Sequence, residues 1–558
     1  MFRKKIDLEK MEQSRQEGMA NLSELNTILT TKGYAIRKDF LNEEQIKQIQ
    51  EDLFVAPNVN QKFMRQADKE ALSFKVYRES PTRYYVPRAW GRQQFGKEEA
   101  NVVPEGTSLR SSLQFVGKPY DYQKAVVDQF LFAGSNGLIC VPCGRGKTFM
   151  AIWTALRIGK KFLVVVDKEF LMNQWKGELE ALVPGIQVGI LQEDKCQVGD
   201  ETIVGKKMGI SELKEVCKQR GLRVGGKRDE LVQRLKENDA TFEDVERKTI
   251  HYDCTIAMIQ TLLQRDFPPN IFDAFGFSIF DECHHLGAQH FSKVFNKVQT
   301  RHALGLSATP ERDDGLTKVF EWTLGKPVYW EKTREPDPDV IVKPLYIEFQ
   351  EEAYTKLPLD WRKEVVLPRL LTQILEYAPR TKLIVDCILD LCKHEERRVL
   401  VLSERISHLE SIEAGLKSSG YSMSYYIGGM KEEEREAGAA TAKILLASYA
   451  MASEAMNIKT LNSVILASPR KKVEQSTGRI LRIRAHERKI SPVIVDVVDN
   501  HDMYKGQFRK RMIYYRKCKY TIQDSKKQEP AEGVEIRNAD ENGCLFADSD
   551  SEEEIISQ

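Results

Sequence analysis

After residue 115 the chain alternates short, unbroken apolar runs with amphipathic segments. The runs are Gly137–Val141, Lys161–Val166, Phe275–Phe280, Val399–Leu402, Ile444–Ala447, Ser463–Leu466 and Val493–Asp496. A strand with one wet face alternates apolar and polar residues, so a run without alternation predicts a strand covered on both faces. Such strands separated by helices predict an α/β fold built on parallel sheets. The runs form one group before about residue 335 and another after about 395, which predicts two tandem, doubly wound domains. Glu335-Pro336-Asp337-Pro338-Asp339 between them reads as a hinge. Upstream, residues 6–70 read as polar and helical, and Ser73–Tyr77 and Arg83–Pro87 as short strands. A small mixed α+β N-terminal domain is expected there.

One stretch breaks the alternation. From Thr202 to Lys248 the strand signal vanishes and a charged helical pattern takes over. Ser211 can cap a first helix that Gly221 ends, and Val224–Lys227 make a turn before a second helix. Leu213, Val216 and Cys217 share a face of the first helix, as Leu231, Val232 and Leu235 do of the second. Over about thirty residues this resembles a SAP module, a helix pair that grips DNA. Lys227 and Arg228 are the candidate contacts the resemblance implies. A plain amphipathic helical hairpin is the alternative.

Composition narrows the class. The 558 residues are 41% hydrophobic and 30% charged, enough for several buried cores. No apolar run reaches the roughly 20 residues a bilayer requires, and Met1-Phe2-Arg3-Lys4-Lys5 leads into no apolar leader core. An intracellular, non-secreted protein without membrane partner is expected. The ten cysteines show no framework spacing, so reduced thiols and no structural zinc are expected. The net charge of +2 conceals an asymmetry. Residues 531–558 hold nine acids against one base, so the remainder sits near +10. Just upstream, Lys505, Arg509, Lys510, Arg511, Arg516, Lys517 and Lys519 interleave with Tyr504, Phe508, Tyr514, Tyr515 and Tyr520. That mixture suits phosphate and base contacts. A solvated helix with a few buried aromatics is the other reading.

Four motifs carry chemistry. Pro142-Cys143-Gly144-Arg145-Gly146-Lys147-Thr148 follows a strand and precedes an apolar helix. Amides of such a loop at a helix N-terminus cradle phosphates; Lys147 would reach the β/γ-phosphates and Thr148 would bind Mg²⁺. Cys140-x2-Cys143 is read as part of this loop, not as half a zinc site. Asp281-Glu282 directly follows an apolar strand. Asp281 would hold Mg²⁺ and Glu282 would orient and deprotonate the attacking water. Ser307-Ala308-Thr309-Pro310, at another strand end, offers hydroxyls that sense the phosphate state. Arg479 and Arg482 are three residues apart, so on a helix both would face a phosphate held by another domain.

Together, in this order, the motifs resemble superfamily 2 helicases, of the XPB-like branch and the transcript-release helicases of large cytoplasmic DNA viruses. The likeness runs from about Phe115 to Tyr520. It implies RecA-like domains at 111–335 and 336–522, an N-terminal accessory domain at 1–110, the SAP-like insertion at 205–245 and an acidic tail at 523–558. It also implies that Gln123 reads adenine, that Gly144, Arg145, Gly146, Lys147 and Thr148 bind ATP, and that Asp281, Glu282, Arg479 and Arg482 are catalytic. Gln174, Gln260 and Thr261 fall in strand-binding positions; Ser307, Thr309, Glu454, Asn457 and Gln475 in coupling ones. Where the family writes Glu-Gly-x-Asp-Ile, this chain has Glu454-Ala455-Met456-Asn457-Ile458, so coupling of hydrolysis to movement departs from the pattern.

The expected function is an ATP- and Mg²⁺-dependent helicase or translocase, DNA-directed and 3′-to-5′ by resemblance, in viral transcription or DNA metabolism. Its partners would be nucleic acid and, through the acidic tail, the transcription machinery. Its setting would be host cytoplasm, viral factory or virion. A duplex translocase that remodels complexes without unwinding is one alternative, and a low-turnover ATP-binding scaffold another.

Overall fold

The computed structural model describes residues 22–57, 72–142, 144–239, 242, 245–268, 270–283, 288–308, 311, 314–331, 336–454, 458, 460–481, 483 and 487–524. Two large sheets organise the chain. The first has eight strands in the order Lys195–Cys196, Val188–Gln192, Cys254–Met258, Phe162–Val166, Phe277–Phe280, His302–Ser307, Asn136–Cys140 and Pro327–Trp330. All neighbours pair in parallel except the short Lys195–Cys196 edge. Its central strands are buried on both faces by helices, as their unbroken apolar sequences require. The second has seven parallel strands, ordered Met423–Tyr426, Ile444–Ser448, Val399–Ser403, Ser463–Leu466, Val493–Asp499, Ile341–Ile347 and Thr521–Ile522. The tandem α/β architecture is as expected.

The N-terminal region differs from its polar, helical reading. Thr27–Thr30 and Gly33–Arg37 are strands of a five-stranded sheet, and of the described part only Glu43–Asp52 is a long helix. The strands are short and partly polar, so the surrounding helical pattern outweighed them. This sheet is tied to the first large one. The Arg88 guanidinium, fully buried, donates to the Asn136 side chain at 2.8 Å and to the Thr300 carbonyl at 3.1 Å. Leu316 and Val319 complete the N-terminal apolar core.

The stretch between Thr202 and Lys248 is also not wholly helical. Asp200–Lys207 and Val245–His251 pair as an antiparallel ribbon, invisible in sequence because both strands are rich in charged residues. The ribbon carries two helices, Ile210–Gln219 and Arg228–Asn238, whose Leu213, Cys217, Leu231 and Leu235 close a small core with Phe242.

The basic–aromatic segment forms the helix Asp502–Lys517 and the short strand Thr521–Ile522. Its aromatics do not face outward: Tyr504, Phe508, Tyr515 and Tyr520 are buried against the second sheet. Arg511 is buried too, bridging both carboxylate oxygens of Asp496 at 2.7 and 2.8 Å. Base stacking on those rings is therefore excluded; helix periodicity turned one face of the mixture inward. Arg509, Lys510, Arg516 and Lys517 remain exposed. No helix among the described residues is long and apolar enough to cross a membrane.

Candidate active site

Three adjacent parallel strands of the first sheet end at one place, where α/β proteins bind ligands. Asn136–Cys140 leads into the Gly-rich loop, Phe277–Phe280 into Asp281-Glu282, and His302–Ser307 ends at Ser307. The ladder fixes their levels: the Val141 amide donates to the Ser307 carbonyl at 3.1 Å, and the Asp281 amide to the Val165 carbonyl at 3.0 Å.

The loop turns through Gly144 and Gly146, with φ of +86° and +78°. Gly146 is the residue before the helix Lys147–Ile158, so the turn and the first free amides coincide. A Cβ at Gly146 would lie 2.6 Å from the Gln123 amide nitrogen, so the close approach also demands glycine. Gln123 is buried and braces the loop, donating to the Arg145 carbonyl at 3.2 Å and accepting from the Tyr120 amide at 3.0 Å. The Tyr122 hydroxyl donates to the same carbonyl at 2.8 Å. The Arg145 guanidinium lies 4.2 Å from the Tyr122 ring centre and pairs with Glu331 at 3.1 Å. Glu331 is a contact that the motif pattern did not announce.

Lys147 and Glu282 meet in an ion pair across the strand ends, both largely enclosed. Glu282 holds φ at +41°, a left-handed conformation uncommon for its type, which turns its carboxylate toward the loop. Asp281 lies deeper. Its Oδ1 accepts from the Glu282 amide at 2.9 Å and its Oδ2 from the Trp175 indole N–H at 2.7 Å. Burial first and the Glu282 charge second push the Asp281 carboxyl up to about 6, while Lys147 pulls the other way. Trp175 is the residue whose role was missed. It stands beside Gln174 in a candidate strand-binding motif, yet its indole faces the carboxylate. The available signal was chemical: a buried indole N–H requires an acceptor.

Thr148 is half-buried, second in the helix that Lys147 begins. Its hydroxyl and the Asp281 and Glu282 carboxylates are hard oxygen donors, and two carboxylates beside one lysine suit a divalent cation. Cys140 and Cys283 are not competing ligands in character: burial pushes the Cys140 thiol up to about 12 and the Cys283 thiol well upward.

Other predicted residues fall elsewhere. Gln260 is exposed and donates to the Asp167 carbonyl at 2.8 Å, near the same strand ends. Thr261 is buried, its hydroxyl accepting from the Glu193 amide at 2.9 Å. Gln174 donates to Glu178 at 3.0 Å. Lys227 is exposed at the start of the second inserted helix, and the neighbouring Arg228 donates to the Met208 carbonyl at 3.2 Å. Thr309, Asn457 and Arg482 lie outside the described residues, as do the side chains of Glu454, Gln475 and Arg479.

Residues 117–312 match the family model "Type III restriction enzyme, res subunit", and residues 380–484 match "Helicase conserved C-terminal domain". The two matched domains and the names of the relatives make the chain an ATPase of the helicase class. The first model spans the helicase's loop, Trp175 and Asp281-Glu282; the second spans its Ser403–Arg405 and Gln475–Arg479 segments. The helicase is 28% identical over 520 residues to "Putative ATP-dependent RNA helicase L396" of Acanthamoeba polyphaga mimivirus, covering 90% of this chain and 88% of that one. It is 24% identical over 427 residues to "Putative ATP-dependent RNA helicase QP509L" of African swine fever virus, covering 72% and 74%. "Probable helicase D10" of Escherichia phage T5 matches at 22% over 381 residues, covering 67% and 70%.

Proposed function

We propose that this helicase is a nucleic-acid-stimulated motor whose ATP site is the cluster at the first sheet's strand ends. The observation that carries the reading is the convergence of Lys147, Glu282 and the buried, Trp175-bonded Asp281. Loop amides and Lys147 bind the phosphates, and Gln123, which braces the loop, would read the adenine. Thr148 and Asp281 would hold Mg²⁺, which neutralises phosphate charge when bound. Glu282 accepts the proton of the attacking water and hands its lysine partner to the phosphates. Arg479 and Arg482, from the second domain, stabilise the transferring phosphoryl group.

The track is proposed to be DNA. The helix pair on its ribbon, with its own core and the exposed Lys227 at its second helix, supports a SAP-like DNA grip. The mimivirus and swine-fever relatives carry RNA-helicase names, which supports RNA as the competing track. Resemblance to XPB-like and transcript-release helicases supports 3′-to-5′ movement in viral transcription within an infected cell. A duplex translocase that does not unwind is the second reading, favoured by the same helix pair. The test is ATPase turnover with single-stranded DNA, duplex DNA and RNA side by side at stated salt. Stimulation by DNA, lost by about two orders of magnitude or more in Glu282→Gln, is expected. Turnover that no nucleic acid stimulates would overturn the motor; triplex displacement without strand separation would leave only the translocase.

A further inference from the structure

The second sheet domain carries an exposed feature that the ATP site does not use. Between the strand Ile341–Ile347 and the helix Leu367–Glu376 the chain folds a tight hairpin with Trp361 at its tip. The Trp361 side chain is 83% exposed, and Leu357, Leu359 and Leu367 around it are also exposed. Among the tryptophans this is an exception: Trp90 and Trp175 are buried, and Trp153, Trp322 and Trp330 are half-buried.

The tip is built rather than loose. Leu359 bridges to Val365, the Asp360 amide donates to the Glu364 carbonyl at 2.9 Å, and the Val366 amide to the Pro358 carbonyl at 2.8 Å. Asp360 Oδ1 accepts from the Arg362 and Glu364 amides at 2.8 and 2.9 Å. Gln373 ties the following helix back to the Lys356 carbonyl at 2.9 Å. That helix is anchored in the domain by the buried Leu370, Ile374 and Leu375. An indole held outward on a fixed turn is already ordered for stacking.

Basic side chains outnumber acids around it. The Arg362 guanidinium lies 4.3 Å from the Trp361 ring centre. Lys356 pairs with Glu352 at 2.7 Å, which leaves Arg362, Lys363 and Arg369 against Asp360 and Glu364, and Asp360 is consumed in the turn. Beside the hairpin an open groove of about 610 Å³ runs between the helix and Arg405. Arg369, Gln373, Tyr377 and Arg405 line it, with Glu376 the one acid. Arg405 follows the carboxyl end of the strand Val399–Ser403, the side of a parallel sheet on which ligands lie. Aromatic platforms beside a cationic groove are how single strands are held without regard to sequence.

We propose that this hairpin and groove form a single-strand binding surface, with the Trp361 indole stacked on a base and Arg369 and Arg405 taking neighbouring phosphates. The assignment rests on the nucleic-acid motor reading and gives it a contact point in the second domain. A protein partner for the apolar tip is the other outcome.

The test uses the full chain with dT20 and rU20 as probes. Iodide-accessible tryptophan emission should be quenched by saturating oligonucleotide, and this component should vanish in Trp361→Phe. Oligonucleotide affinity should fall roughly tenfold in Trp361→Ala, the loss of one stacked base, and be largely retained in Trp361→Phe. The melting temperature of Trp361→Ala should match the parent, because the side chain lies in solvent. Whichever probe quenches names the strand chemistry. Parental affinity in Trp361→Ala, with no quenching in the parent, overturns the assignment and leaves the motor reading standing. A parent that binds neither oligonucleotide overturns both.

Discussion

Replacing Trp175 by phenylalanine removes the indole N–H that Asp281 Oδ2 accepts at 2.7 Å, and little else that is polar. Both side chains are buried, 1% and 6% exposed, so water cannot substitute for the lost donor. A hydrogen bond to an ionised partner is worth about 1.5–3 kcal/mol. The smaller ring also leaves a cavity, so the single substitution mixes two costs. A double-mutant cycle with Asp281→Asn separates them, because the cavity term cancels. A neutral amide oxygen accepts about half as strongly as a carboxylate, so the expected coupling is about 1 kcal/mol. Urea unfolding of the four proteins measures it. The catalytic consequence is separate. Losing about 1.4 kcal/mol of carboxylate positioning in the transition state lowers kcat about tenfold, with KM for ATP little changed. Coupling within about 0.3 kcal/mol of zero, or an unchanged kcat, would refute a role for Trp175 in placing Asp281.

Two predictions concern the second domain. Arg380 and Asp499 are fully buried and joined by two bonds, Nε to Oδ1 at 2.6 Å and the second guanidinium nitrogen to Oδ2 at 2.9 Å. Asp499→Asn strands the guanidinium and should cost about 3–5 kcal/mol in urea unfolding; a loss under about 1 kcal/mol would show that the pair is not load-sharing. His408 is held down to about 3 by burial first and by the Arg380 charge second. Its folded value lies below the unfolded one, so only the unfolded chain takes up a proton as pH falls from about 6.5. The contribution is complete above that pH and declines toward pH 3, by up to about 1.4 kcal/mol per pH unit. Unfolding free energies of the parent and His408→Gln between pH 7 and 5 should diverge by that slope; parallel curves would refute it.

The two large sheets were legible because burial on both faces writes itself as consecutive apolar residues. All seven runs became strands. The strand Ile341–Ile347 escaped because Pro344 interrupts its pattern. Its outer neighbour pairs only with Ile341 and Val342, so the missing N–H lies where no ladder continues. The ribbon Asp200–Lys207 with Val245–His251 escaped for the opposite reason. It covers no large core, and its charged residues carry no period. At the site, the loop and the two acids were legible from type and spacing, since phosphate chemistry demands them. Trp175 was not, because its partner lies 106 positions away and only the adjacent strand ends bring them together. The Tyr504–Tyr520 segment shows the limit of composition. Basic and aromatic residues were present in the right proportion, but helical phase, which sets who meets the sheet, turned the rings inward.

That inward turn leads to a structural argument about the second domain. Arg511 on this helix pairs with Asp496 and donates to the Arg470 carbonyl. Arg470 reaches the Glu404 carboxylate at 2.7 Å and lies 4.7 Å from the Tyr449 ring centre. The Tyr449 hydroxyl donates to the Ser468 carbonyl at 2.9 Å, and the Ser468 hydroxyl accepts from the Glu404 amide at 2.9 Å. Three loops at the carboxyl ends of neighbouring strands are thus stitched to one another and to the C-terminal helix by polar contacts of fixed direction. An apolar core would hold these loops equally firmly but would tolerate sliding, whereas directional bonds fix one arrangement. Arg405, beside Glu404, inherits that placement. The groove proposed to receive a strand is therefore placed by a polar chain that starts at the buried Arg511–Asp496 pair and reaches Glu404 through the partly exposed Arg470.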